Sequence, residues 1–470
     1  MKKTILFLLL SAVTLTLTAA KSYRFEISAP QMAADTVLLA NYFNGKVYVS
    51  DTIVLNKKGS GVFSKNKELP EGVYLIVFPN KRYYDFLVET NQQLKISIDT
   101  LKENYVYQFQ VKGAAQTEAF DAYIKYMSEK RKEQSEIMGK MEAVKDDALA
   151  QQTLHEKLNG LDKQVQDKQA NLIETYKNKT LGILIKGSMP PLLPDSLADA
   201  SNTDYNYQMK RYLYSKNHYW DNIDFSDKRV WRFNYVSPRM DTYLNKILVQ
   251  SYDTIITEVV KLMEKSRGGD SIAFQIMATN MLNYAAASKL MGMDKLLVVL
   301  AEDYYLTPKV WWADSTLQAN LRTEVRKSKY NLVGNIAHNL YSESIDGKPA
   351  VLKQQLGEIT LLYFYEPSCG HCKQTTPKVL EVFEKYKNKG FKVVAYYTQT
   401  DKQEWLDFIE KYGVQEWTNV WDPNRESFYW YYYDTSTTPG LYVLDKNLKI
   451  IAKKIDAPTL DLILNHELKP

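Results

Sequence analysis

At 470 residues the chain has the length of about three domains and is too long for one core. Its 45% hydrophobic and 24% charged content is that of a folded soluble protein, which excludes a largely disordered chain and a multi-span membrane protein. Sixty Lys and Arg against 55 Asp and Glu leave a net charge of +5, too small and too dispersed to build a phosphate-binding surface, so nucleic acid is not an expected partner.

Residues 1–20 read as a secretory signal peptide. Lys2 and Lys3 form a positive start, 5–17 an apolar stretch, and Thr18-Ala19-Ala20 a small-residue cleavage site. The apolar stretch is too short for a bilayer-crossing helix, and no cysteine stands at the cleavage point to carry a lipid. The expectation is an exported chain with no transmembrane segment after cleavage, in a compartment such as the bacterial periplasm where disulfides form.

Residues 21–112 carry short alternating runs at 23–27, 36–40, 73–78 and 94–98, separated by turn chemistry at Asn44-Gly45, Lys58-Gly59-Ser60-Gly61 and Pro70-Glu71-Gly72. This pattern predicts a small all-β, sandwich-like domain. From 113 to 334 the period becomes helical. Phe120, Tyr123 and Met127, then Ile137, Met141 and Val144, then Leu154, Leu158, Leu161 and Val165 predict two long amphipathic helices packed as a hairpin. After Pro190-Pro191, further helices are expected over 207–214, 240–263, 272–290 and 296–304. Mixed-sign runs such as 128–133 read as solvated helix faces. From 335 to 470 strand and helix alternate, which predicts an α/β domain: strands over 360–365, 391–397, 441–444 and 450–452, and helices over 377–387 and 403–412.

Only two cysteines exist, Cys369 and Cys372. Random placement would set two cysteines three apart about once in 240 arrangements, so the C-x-x-C spacing carries weight. A four-cysteine zinc site is excluded, and His371 is the only histidine near the pair, so no metal is expected. Cys369-Gly370-His371-Cys372 directly follows a buried strand and opens a helix, where backbone N–H groups and the helix dipole stabilise a thiolate. Cys369, at the exposed end, is the expected nucleophile. Cys372, one turn inward, is expected to resolve the mixed disulfide and close the Cys369–Cys372 disulfide. His371 adds positive charge that lowers the Cys369 pKa and favours the dithiol. A static bridge across so short a loop constrains the unfolded chain little, so stability is a poor reason for the motif.

With this motif after a strand, and Thr437-Thr438-Pro439 before a later one, residues 335–470 resemble the thioredoxin superfamily, and more closely its exported TlpA- and ResA-like thiol-disulfide oxidoreductases. The resemblance implies a cis-proline at Pro439 facing the sulfurs, with Thr438 pairing with a substrate peptide. Tyr433 matches an aromatic common in the family, and the Gly-His dipeptide is similar to that of protein disulfide isomerases. No cofactor is implied. The implied partners are exported proteins with disulfides or thiols, and a redox partner that recycles the pair. Where thioredoxins place a buried aspartate, this chain has Tyr363; Ser368 replaces their tryptophan, and Thr375 stands where ResA-like proteins carry a glutamate. Glu366, the nearest carboxylate in sequence, reads as an ordinary surface residue.

The function expected is thus a thiol-disulfide oxidoreductase acting through Cys369 and Cys372. The alternative is a partner- or glycan-binding protein with an auxiliary thioredoxin-like domain, for which the aromatic run 429–433 could form a contact patch, although packing against the α/β core is the favoured reading of that run. On the first reading residues 335–470 fold alone and the upstream domains choose substrates.

Overall fold

The computed structural model describes residues 22–79, 81–98, 109–199 and 201–469. The expected signal peptide, residues 1–20, lies outside them. Among the described residues no helix is long and apolar enough to cross a membrane. Contacts divide the chain into two compact units, one running to Ile247 and including Lys265–Ala273, the other comprising Leu248–Glu264 and everything from Phe274 onward.

The first unit opens with eight strands: β1 (Tyr23–Ser28), β2 (Thr36–Phe43), β3 (Lys46–Val54), β4 (Ser60–Lys65), β5 (Gly72–Val77), β6 (Tyr83–Val88), β7 (Gln93–Ile98) and β8 (Phe109–Lys112). They form two four-stranded sheets ordered β4-β1-β7-β8 and β3-β2-β5-β6. Alternation sends Phe25, Ile27, Phe63, Leu94 and Ile96 from one sheet and Val37, Leu39, Tyr74, Ile76 and Phe86 from the other into a single core, the expected sandwich. The helices α1 (Ala115–Ala143) and α2 (Ala148–Thr175) form the expected hairpin. Ile137, Leu154 and Leu161 make its small core, and Asp147 caps α2 by accepting from the N–H groups of Leu149 and Ala150. Helices α3 (Thr180–Ser188), α4 (Tyr205–His218) and α5 (Val236–Thr242) follow.

The helix expected over 240–263 is two. The chain breaks after a single π-turn at Tyr243–Ile247 and restarts as α6 (Tyr252–Arg267). The Ser251 hydroxyl, bonded to the Thr254 N–H at 3.3 Å, supplies the N-terminal cap that a continuous helix would not need. Then come α7 (Ser271–Ala287), α8 (Asp294–Leu300) and α9 (Ser315–Ser328).

The C-terminal part of the second unit is an α/β layer: β9 (Tyr341–Ser344), β10 (Pro349–Val351), β11 (Ile359–Tyr365), α10 (Gly370–Tyr386), β12 (Phe391–Tyr397), α11 (Lys402–Tyr412), β13 (Thr418–Trp421), α12 (Tyr429–Tyr432), β14 (Gly440–Asp445), β15 (Ile450–Lys453) and α13 (Ala457–Glu467). The seven-stranded sheet has the order β10-β9-β13-β12-β11-β14-β15, with β11 parallel to β12 and antiparallel to β14. Every residue of β11 is buried. Leu361, Tyr363 and Tyr365 face the core under α10, α11 and α13, whereas Leu362 and Phe364 face a second core with Tyr396, Tyr429, Tyr433 and Tyr442. Helices or loops on both faces of a central parallel pair make its end the natural place for chemistry.

The expected independence of 335–470 needs a correction. Lys453, on β15, is only 4% exposed, and it pairs with Asp294 of α8 and donates to the Asn331 side chain at 2.7 Å, both of which precede residue 335. A buried ammonium without those partners is costly, so this part of the fold leans on helices upstream.

Candidate active site

Strand β11 ends at Tyr365, and the turn Glu366-Pro367-Ser368 delivers Cys369 to the N-terminus of α10, where it is the capping residue. The helix starts at Gly370 rather than at Pro377. Pro377 sits inside it, and hydrophobic Val379, Val382 and Phe383 hold it on the sheet. Both cysteines are free thiols here, so the geometry of the site is that of the dithiol form.

The two sulfurs differ in environment. Cys369 is partly exposed, and its Sγ lies 3.3 Å from the Thr438 carbonyl, to which it donates. Burial pushes its pKa up, but the backbone N–H of Cys372, the Thr438 and Cys372 side chains and the backbone N–H of His371 outweigh it, so the thiol lies below its ordinary value. The contribution of His371 is thus its main-chain N–H, while its ring is exposed. Cys372 is fully buried, and burial pushes its thiol up to about 12.

Thr438 and Pro439 sit opposite, joined by a cis peptide bond. Tyr433, 1% exposed, packs edge-on against Tyr442 behind them. Tyr363, which replaces an acid at the sequence level, is fully buried, and its hydroxyl pairs with Thr376 of α10 at 3.0 Å. Burial holds that phenol far above its usual range, so it stays protonated beside Cys372.

Glu366 is not an ordinary surface residue. One carboxylate oxygen accepts from the Thr438 hydroxyl at 2.7 Å and the other from the Gln399 amide at 2.8 Å. It ties together the loop after β11, the loop after β12 and the loop before β14. Its place between the buried strand and the motif was the available signal, but neither partner is near in sequence. A cavity of about 400 Å³ adjoins Thr438, lined also by Glu366, Arg326, Arg425 and Trp430. Among the described residues no cluster of His, Cys, Asp or Glu is placed to hold a metal ion.

Residues 357–450 match the Thioredoxin-like family, while residues 203–331 and 23–120 match the domains of unknown function DUF5106 and DUF4369. A thiol-disulfide oxidoreductase ResA of Bacillus thuringiensis is 24% identical over 127 residues, which is 27% of this chain and 72% of that protein. A domain of a possible thiol-disulfide isomerase from Cytophaga hutchinsonii is 38% identical, covering 29% of this chain and 92% of that one, with a TM-score of 0.28. A thioredoxin-like protein from Bacteroides caccae is 19% identical, covering 59% of this chain and 97% of that one, with a TM-score of 0.43. With the strand, C-x-x-C helix start and cis-proline loop in place, the chain belongs through its C-terminal α/β domain to the thioredoxin superfamily, as a homologue of the ResA-type thiol-disulfide oxidoreductases.

Proposed function

We propose that the chain exchanges disulfides with exported protein substrates through Cys369 and Cys372. The supporting observation is the split between the sulfurs: a partly exposed Cys369 with a lowered pKa, and a fully buried Cys372 pushed up to about 12. The thiolate is the attacking species, so Cys369 reacts first. Its sulfur attacks one sulfur of a substrate disulfide, a Cys369–substrate bond forms, and the other substrate sulfur leaves as a thiolate. Cys372 then gives up its proton and attacks the Cys369 sulfur. The second substrate thiolate leaves, and the Cys369–Cys372 disulfide holds the oxidised end of the couple. The substrate gains two electrons and the pair loses two. A redox partner returns them, and its potential sets the net direction.

Thr438 and Pro439 form the substrate-facing wall: the Thr438 carbonyl lies beside Cys369, where an extended peptide would meet it. Lys2, Lys3 and the apolar stretch 5–17 support export of the mature chain to a disulfide-forming compartment. Insulin reduction with a dithiol donor tests the proposal: wild type accelerates it and Cys369→Ser does not. Equal rates would overturn it.

A further inference from the structure

The cavity beside Thr438 has an unbalanced charge. Asp434 accepts from Ser436 and pairs with Lys454, while Glu366 accepts from the neutral Thr438 and Gln399, which occupies its oxygens and leaves one negative charge against the cavity's free cations. Of its cations, Lys327 pairs with Glu324 of its own helix. Arg326, on α9, and Arg425, in the loop before α12, are exposed, and among the described residues neither forms an ion pair. Trp430, 46% exposed, gives the same cavity a flat apolar wall. A volume near 400 Å³ is that of an ordinary ligand site, large enough for a few side chains of a peptide.

We infer that this cavity receives an acidic stretch of the polypeptide whose disulfide reacts at Cys369, with Arg326 and Arg425 pairing with its carboxylates. The inference rests on the exchange reading above and names the substrate class it prefers. Guanidinium groups suit the task, since each offers a planar pair of N–H donors to a carboxylate and stays charged at any physiological pH. Arg326 lies within residues 203–331, the match to a domain of unknown function, so that segment supplies part of the specificity of a site whose chemistry lies elsewhere in sequence. The preference is electrostatic and partly solvated, so salt weakens it.

The test uses full-length reduced protein and three peptides of equal length. Each has one cysteine joined to pyridine-2-thiol as a mixed disulfide, flanked by glutamates, glutamines or lysines. Attack by Cys369 on the peptide sulfur releases pyridine-2-thione, which is read by absorbance. The glutamate peptide should react about tenfold faster than the glutamine peptide at low ionic strength, with the lysine peptide slowest. The ratio should fall to near one in Arg326→Gln/Arg425→Gln and survive in Arg326→Lys/Arg425→Lys. Equal rates in wild type, or a ratio unchanged in the glutamine variant, overturn the inference and leave exchange intact. If no peptide reacts, the exchange reading fails instead. Calorimetric binding of the same peptides with serine for cysteine then decides the inference: tighter binding of the glutamate peptide, lost in the glutamine variant, supports it, and equal binding overturns it.

Discussion

Three residues apart at most, Cys369, Gly370, His371 and Cys372 share one helical turn, yet the pKa values of the two thiols are shifted in opposite directions. Thiolate, not thiol, is alkylated, so lowering a pKa raises reactivity near neutral pH and raising it suppresses reactivity. Iodoacetamide should therefore modify Cys369 near neutral pH while Cys372 stays unreacted until well into the alkaline range; mass spectrometry of the two sites checks this, and equal rates contradict it. The role of His371 divides the same way. His371→Pro removes both ring and N–H, at a helix position where proline is tolerated, and should make the pair more reducing by about 30 mV or more. His371→Ala keeps the N–H and should shift the potential less, as read against a glutathione buffer. The cysteine chemistry was legible because spacing and helix start are local. The role of Glu366 was not, since its partners Gln399 and Thr438 lie 33 and 72 residues away. Glu366→Ala should cost about 1 kcal/mol of stability in a denaturant titration, as the Thr438 hydroxyl and Gln399 amide lose their acceptor.

Long, strongly patterned elements were legible at the next scale. The seven buried residues of β11 announce a central strand, and the three- and four-residue spacing of Ile137, Met141 and Val144 announces a packed helix. Short strands toward one side of the sheet were not: β9, β10 and β13 span three or four residues each, although Asp346-Gly347, with Gly347 at φ +74°, is a hairpin turn that marks the first two. Lys453 shows why pattern fails at a docked edge. A lysine at the end of a strand reads as solvent-facing, but here it is buried against Asp294 and Asn331, and burial lowers its pKa. Removing one member of such a pair strands the other charge, whereas replacing both by apolar residues of similar shape does not. Asp294→Ala should destabilise by about 3 kcal/mol or more and the double variant Asp294→Leu/Lys453→Met by much less, in thermal or denaturant unfolding.

Across the whole molecule both sulfurs, Glu366, Thr438 and Pro439 lie within residues 335–470, the segment to which the sequence reading assigns the chemistry. Stability is less local, because Lys453 draws its partners from α8 and from just after α9. A fragment beginning at Asn335 should therefore unfold at lower denaturant than the full chain, and Lys453→Met should restore part of the difference; a fragment as stable as the full chain contradicts this. The central claim, that Cys369 attacks and Cys372 resolves, is tested most directly by trapping. Mixed with insulin, Cys372→Ser should accumulate a disulfide-linked adduct through Cys369 that reductant releases, and wild type should not, because Cys372 clears it. If Cys372→Ser forms no adduct, or if Cys369→Ser traps insulin equally well through Cys372, the account is contradicted.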